Sequence, residues 1–359
     1  MQGPRPDPKR ALSGSIALAA AIALAASGCA KKGVPSGGPP DVTAPRLAAA
    51  YPESAAARVP RSANLSITFS EGMEPRSTGD AVSLAPRVEF KQKRWSGKTL
   101  TLVLADSLAP RQTYVMFVGG GARDRHGIPM GSGAAVTFST ADSFPPGRIR
   151  GRIEAHGFGA EGTYVWCYDE ALGRVPDSTA HDFDALGLAD AKSEFEVLGL
   201  HVPGRYRLWA FADLNSNRSF EPDVDILAPA DTSVTLTRSA PAADHVVLSV
   251  TNPRAPAALA GAVLDTLGDS LGVIRIMAVS ERDSSIRQGA DVGRENGFEI
   301  QLSAGRWRLA AWRDLDNNRQ WAEGREPASA WYPVELAPAE ERKDVTLVLR
   351  RPQAVGSGP

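Results

Sequence analysis

Apolar and polar residues alternate along most of the chain in short runs, the period of a strand with one buried face. The runs Asn64–Phe69, Thr99–Leu104, Thr113–Val118 and Ala135–Thr140 each place an apolar side chain on every second position. Turn residues separate them, so they predict an antiparallel sandwich over residues 41–142. Pro145-Pro146-Gly147 then breaks the chain. No stretch beyond the N-terminal segment sustains a helical period.

After the break, one stretch occurs twice. Gly204-Arg205-Tyr206-Arg207-Leu208-Trp209-Ala210-Phe211 leads into Asp213-Leu214-Asn215-Ser216-Asn217 and reaches Phe220. Gly305-Arg306-Trp307-Arg308-Leu309-Ala310-Ala311-Trp312 leads into Asp314-Leu315-Asp316-Asn317-Asn318 and reaches Trp321, every position 101 residues further on. A constant offset without gaps marks a duplicated structural unit. The flanks repeat as well: Ile149-Arg150-Gly151-Arg152-Ile153 answers Leu259-Ala260-Gly261-Ala262-Val263, and Phe195-Glu196-Val197 answers Phe298-Glu299-Ile300. A glycine central in a strand predicts a bulge or a close backbone approach. The repeats therefore fall at 147–252 and 257–350, joined by Thr251–Pro256, with a disordered tail at 351–359. The fold class is all-β: three tandem β-sandwich domains after an N-terminal signal segment.

Alternation also sorts the repeated strand into faces. Tyr206, Leu208 and Ala210 share one face, as do Trp307, Leu309 and Ala311, and this face is expected in the core. Arg205, Arg207, Trp209 and Phe211 lie opposite, as do Arg306, Arg308, Ala310 and Trp312. The aliphatic stems of the arginines can cover apolar surface there.

The N-terminal segment is an address. Lys9-Arg10 precede an apolar run from Leu12 to Ala26, and Ala26-Ser27-Gly28 lead to Cys29. This layout is that of a secretory signal. It resembles a bacterial lipoprotein signal, with residues 1–28 removed and Cys29 lipidated, although Ala26 stands where that pattern usually has Leu. Two or more acyl chains on Cys29 are enough for stable membrane anchoring. Residues 29–40 carry Lys31-Lys32 and Ser36-Gly37-Gly38-Pro39-Pro40 and read as a flexible tether.

Within the first domain, Asp41-Val42-Thr43-Ala44-Pro45, Tyr51-Pro52, Val59-Pro60, Ile67-Thr68-Phe69-Ser70-Glu71-Gly72-Met73, Gly121–Gly127 and Phe138-Ser139-Thr140 together resemble the bacterial Ig-like domain of surface-layer type. The resemblance implies a structural or adhesive extracellular module. The strand order of each repeat is similar to the carboxypeptidase-regulatory or transthyretin-like module, which implies a sandwich of roughly seven strands.

Composition narrows the chemistry. With 40 basic and 41 acidic residues in a 359-residue chain, charge gives no reason to expect nucleic acid. Cys167 sits alone in Tyr164-Val165-Trp166-Cys167-Tyr168 and reads as a small buried hydrophobe. The five histidines fall in separate segments without metal-type pairing, and neither Gly-x-Ser-x-Gly nor His-Glu-x-x-His occurs. No catalytic residue or organic cofactor is therefore expected.

Ligand-type chemistry is confined to the acidic loops. Asp213, Asn215 and Asn217 with Asp225, and Asp314, Asp316 and Asn318 with Glu326, place oxygen side chains at alternate positions and close with a carboxylate twelve residues after the leading Asp. Such spacing begins an EF-hand loop, where oxygens converge on Ca²⁺. Arg218 and Arg319 stand where an EF-hand has Gly, and the flanks are strand-like. The competing reading is a turn built by Asp and Asn on their own backbone. The same choice, cation or turn, applies to Glu71 and Asp124, with the turn favoured. These features predict a lipid-anchored outer-membrane lipoprotein with a non-catalytic role, meeting a glycan or another envelope protein. The alternative is an accessory subunit that positions substrate for an envelope enzyme or transport system.

Overall fold

The computed structural model describes residues 41–176, 183–217, 220–268, 271–293 and 295–352. Cys29, the signal segment, the tether, Arg218 and most of the tail lie outside the described residues. All the sandwiches fall within one compact unit, Thr43–Pro359.

The first sandwich holds β1 (Leu47–Tyr51), β2 (Leu65–Phe69), helix α1 (Pro75–Ala81), β3 (Val82–Ala85), β4 (Phe90–Ser96), β5 (Thr99–Leu104), β6 (Thr113–Val118) and β7 (Ala134–Ser139). Its sheets run β1-β2-β5-β4 and β3-β6-β7, every pairing antiparallel. Leu65, Ile67 and Phe69 of β2 face Leu100 and Leu102 of β5 in one core, as their alternation requires. The short helix begins with Pro75, and the Glu74 carboxylate accepts from the Arg76 and Ser77 amides at 3.0 and 2.6 Å. Those bonds hold the Glu74 carboxyl below its usual range.

The first repeat holds β8 (Gly147–His156), β9 (Tyr164–Asp169), β10 (Ala185–Leu188), β11 (Glu194–Leu200), β12 (Gly204–Ala212), β13 (Ile226–Pro229), β14 (Val234–Leu236) and β15 (Ala242–Thr251). The second holds β16 (Ala257–Asp265), β17 (Val273–Ser280), β18 (Arg287–Asp291), β19 (Gly297–Leu302), β20 (Gly305–Asp314), β21 (Tyr332–Leu336) and β22 (Glu341–Leu349). The three-stranded sheets correspond: β11-β8-β15 and β19-β16-β22. So do the larger sheets: β9, β10 and β12 match β17, β18 and β20, and β14, paired to Gly204–Tyr206, matches β21, paired to Gly305–Leu309. In both repeats the last long strand runs parallel to the first, β15 beside β8 and β22 beside β16.

The central glycines have the expected cause. A Cβ on Gly151 would lie 2.0 Å from the Val246 carbonyl oxygen, and one on Gly261 would lie 1.9 Å from that of Val345. Each parallel ladder shifts register beside that approach, between Ala243 and Val246 and between Leu259 and Gly261.

The inner face of the repeated strand is core in both repeats. Tyr206, Leu208 and Ala210 pack with Ile149, Val197 and Leu248, while Trp307, Leu309 and Ala311 pack with Leu259, Ile300 and Leu347. Cys167 is fully buried in the first of these cores, and burial pushes its thiol pKa up, away from the reactive thiolate.

The outer face departs from the simple picture in the first repeat. Arg205 is exposed and Arg207 half-buried, but further along the strand Trp209 is half-buried and Phe211 is 1 % exposed. The cover comes from the first sandwich: Ala85, Val115 and Phe117 join Tyr164, Trp166, Tyr168, Phe183, Leu186 and Phe211 in a separate cluster. Phe117 meets Tyr164 edge-on at 6.3 Å and Phe183 at 6.0 Å, and Trp166 lies 4.6 Å from Phe211 between ring centroids. Pairs of this geometry contribute about 0.5–1.5 kcal/mol each beyond the area they bury.

Candidate functional site

Two kinds of feature carry ligand-type chemistry: the acidic loops, and the outer faces of the large sheets beside them. Each loop follows directly from its central strand, so the register of β12 and β20 places it. Ser216 and Asn317, at equivalent positions, both adopt the left-handed conformation, with φ of 60° and 57°.

In the first loop, Asp213 Oδ1 and Asn215 Oδ1 both accept from the Asn217 amide at 3.1 Å. Asp225 is 2 % exposed; its Oδ1 accepts from the Leu214 amide at 3.0 Å and its Oδ2 from the Glu221 amide at 2.8 Å. Glu221, which the spacing argument did not single out, accepts from the side-chain amides of Asn215 and Asn217 at 2.9 and 3.0 Å. Arg254 reaches over from the linker and donates to the carbonyls of Pro222, Val224 and Asp225.

The second loop repeats the frame. Asp314 Oδ1 and Asp316 Oδ1 accept from the Asn318 amide at 3.0 and 3.2 Å. Glu326 accepts from the Leu315 and Ala322 amides, both at 2.9 Å. The closing carboxylates, twelve residues after the leading Asp and one place beyond the closing position of an EF-hand, thus bind the loop back onto its own start in both repeats. Asp314, Asp316 and Glu326 can bring one oxygen each within 4.8 Å of one another.

A buried arginine distinguishes this second loop. Arg275, 7 % exposed, donates from Nε to Asp314 Oδ2 at 2.8 Å and from Nη2 to Asn317 Oδ1 at 2.7 Å, and it pairs with Asp291. Burial pushes the Asp314 carboxyl up, but Arg275 and the Arg319 and Asn318 amides outweigh it, and the net shift is downward. The positive charge that a bound cation would bring is supplied here by a guanidinium. Tyr164 holds the place of Arg275 in the first repeat, since it pairs with Phe211 as Arg275 pairs with Trp312. Spacing revealed the loops, but an arginine arriving from another strand has no signal in it.

In the first sandwich, Asp124 is buried, and its Oδ1 accepts from the His126 and Ile128 amides, both at 2.8 Å. That is the bonding of an Asp-initiated turn. Glu71 and His126 stand close enough to offer one atom each within 4.8 Å of an Asp124 oxygen.

Two cavities lie on the repeats. One, of about 1000 Å³, opens beside β8 around Arg148, Arg150 and Arg152. Its guanidiniums already meet carboxylates: Arg148 and Arg150 meet Glu196, and Arg152 pairs with Glu154. The other, of about 620 Å³, lies on the outer face of the β17–β20 sheet and is bounded by Trp312 and Trp321.

The described residues form tandem β-sandwiches whose loops and outer sheet faces carry the polar chemistry. Residues 41–140 match the family model of the bacterial Ig-like domain. No curated protein matches the chain. Among solved structures, the Bacillus anthracis TIE protein is similar at 10% identity and a TM-score of 0.22, over 88% of this chain and 59% of that one. A Bacteroides ovatus protein described as a cell adhesion protein is similar at 10% identity and a TM-score of 0.31, over 59% of this chain and 97% of that one. A streptococcal ancillary pilin is similar at 11% identity and a TM-score of 0.24, over 72% of this chain and 80% of that one.

Proposed function

We propose that this is a lipid-anchored protein of the bacterial cell envelope, in which three β-sandwiches form a non-catalytic binding or structural arm. The observation that carries the reading is the bacterial Ig-like match over residues 41–140, in a domain welded through Phe117 to the repeat that follows it. Cys29 is the lipid attachment site and holds the arm at the outer membrane. Fractionation tests the anchor: Cys29→Ser should move the protein from the membrane to the soluble fraction. Retention of the variant in the membrane fraction would overturn the lipid assignment.

In this reading the acidic loops are hydrogen-bonded staples. Ca²⁺ at Asp213, Asn215, Asn217 and Asp225, or at Asp314, Asp316, Asn318 and Glu326, is tested by thermal melting in chelator and in millimolar Ca²⁺. The staple reading expects the same Tm in both, because a ligand that binds only the folded state must stabilise it. A rise in Tm with Ca²⁺ that Asp225→Asn or Glu326→Gln removes would assign a cation to the loop concerned.

A further inference from the structure

A cavity lies on the outer face of the second repeat. In the first repeat the equivalent face is covered by the first sandwich, and every ring on it has a neighbour. In the second repeat the Tyr164 and Trp166 positions are held by Arg275 and Met277, and those of Phe211 and Phe220 by Trp312 and Trp321. The aromatic wall is kept while the apolar rings of the neighbouring strand are lost, leaving an open cavity of about 620 Å³. That is the size range of small-ligand sites, about 300–1,000 Å³.

The wall is braced from behind. Trp321 packs edge-on against Trp331 at 5.7 Å, and the Arg308 guanidinium stacks over Trp331 at 4.7 Å. Trp321 is half-buried and lines the cavity, so part of its ring is open to it.

Polar groups at the rim set the ligand class. Arg287, Gln288, Arg319 and Gln320 line the cavity and are exposed. At its edge the Arg275 guanidinium is shared between Asp291 and the buried Asp314. Among the described residues, neither the Arg287 nor the Arg319 side chain meets a carboxylate: Arg287 Nε donates only to the Ser284 carbonyl, at 3.4 Å. The cavity therefore offers two uncompensated guanidiniums, amides suited to hydroxyls and indole surface suited to the C–H face of a ring. We infer that it binds a saccharide bearing a carboxylate or a phosphate. Guanidinium forks fit both groups, and the half-buried Trp321 ring offers apolar surface.

The inference deepens the reading of the chain as an envelope binding arm and rests on it, but Cys29→Ser fractionation and sugar binding are read separately, so either can fail alone. The test is calorimetric titration of the full chain with trigalacturonate, with maltotriose as the neutral counterpart and a sugar phosphate, glucose 1-phosphate, as the second anionic source. Binding of trigalacturonate or of the sugar phosphate, at least ten-fold tighter than maltotriose, is expected. Arg287→Gln and Arg319→Gln, both surface changes, should each weaken it by about ten-fold, in keeping with loss of one charge-assisted hydrogen bond. Trp321→Phe should weaken it while leaving the Tm within a few degrees, because Phe keeps an aromatic ring in place but offers less stacking surface. Absence of binding to both anionic sugars, equal binding of maltotriose, or anionic binding unchanged in all three variants would overturn the assignment.

Discussion

The two repeats fold the same strands, yet the outer faces of their large sheets have opposite fates. In the first, Tyr164, Trp166 and Phe211 are buried beneath Phe117 of the preceding sandwich. In the second, Arg275, Met277 and Trp312 occupy those places; Arg275 and Trp312 are buried, Met277 is half-buried, and a cavity opens beside them. Inner faces, loop frames and central glycines are common to both. The difference teaches that a duplicated sandwich keeps the residues that close its own core and is free to change the ones that look outward. One copy became a joint and the other retained an accessible face.

The largest expected effect separates joint from open face. Trp166→Ala removes a side chain 1 % exposed at the centre of the interdomain cluster and should cost about 3–5 kcal/mol in urea unfolding. Met277→Ala, at the equivalent and only half-buried position, should cost clearly less, below about 2 kcal/mol. Equal losses at the two positions would mean that the first sandwich adds nothing to the burial of Trp166.

A smaller effect tests what the repeats share. Ala at Gly261 must push its Cβ against the Val345 carbonyl, and Ala at Gly151 against that of Val246. Each change should destabilise by about 1–3 kcal/mol, the usual cost of overpacking. A neutral Gly261→Ala would show that the parallel ladder can open without cost and that the glycine is not required there.

The smallest effect concerns the second loop alone. The Asp314 pKa is lowered in the folded state, so its contribution is present above the ordinary carboxylate range and is lost as pH falls through the folded value. Unfolding curves of the wild type should therefore lose stability as pH drops below about 4. Asp314→Asn, already without the charge, should lose less over the same interval. Parallel acid limbs for the two proteins would remove the Arg275–Asp314 pair as the cause.

Much of this architecture was legible before any coordinates. The alternation of Leu65, Ile67 and Phe69 and of Tyr206, Leu208 and Ala210 assigns inner faces because a strand has only two sides. Gly151 and Gly261 announced a close approach because a strand interior otherwise disfavours glycine. The joint was not legible. Along β12 the outward positions run from Arg205 to Phe211, and alternation cannot say that one end meets water while the other meets a neighbouring domain. The loops were half legible: spacing counts oxygens but not the partners that their lone pairs meet. Asp225 and Glu326 turned out to face backbone amides, and Arg275 enters from a strand nearly forty residues away along the chain.

The parallel closing strands have a mechanical consequence. β8 and β15 point the same way, as do β16 and β22, so the chain enters each repeat at one end of the ladder and leaves at the other. Tension along the chain would then pull the paired strands past one another and strain many rungs together, instead of unzipping them singly. Under the proposed anchoring at Cys29, a pull on the far end would load the repeats in that direction.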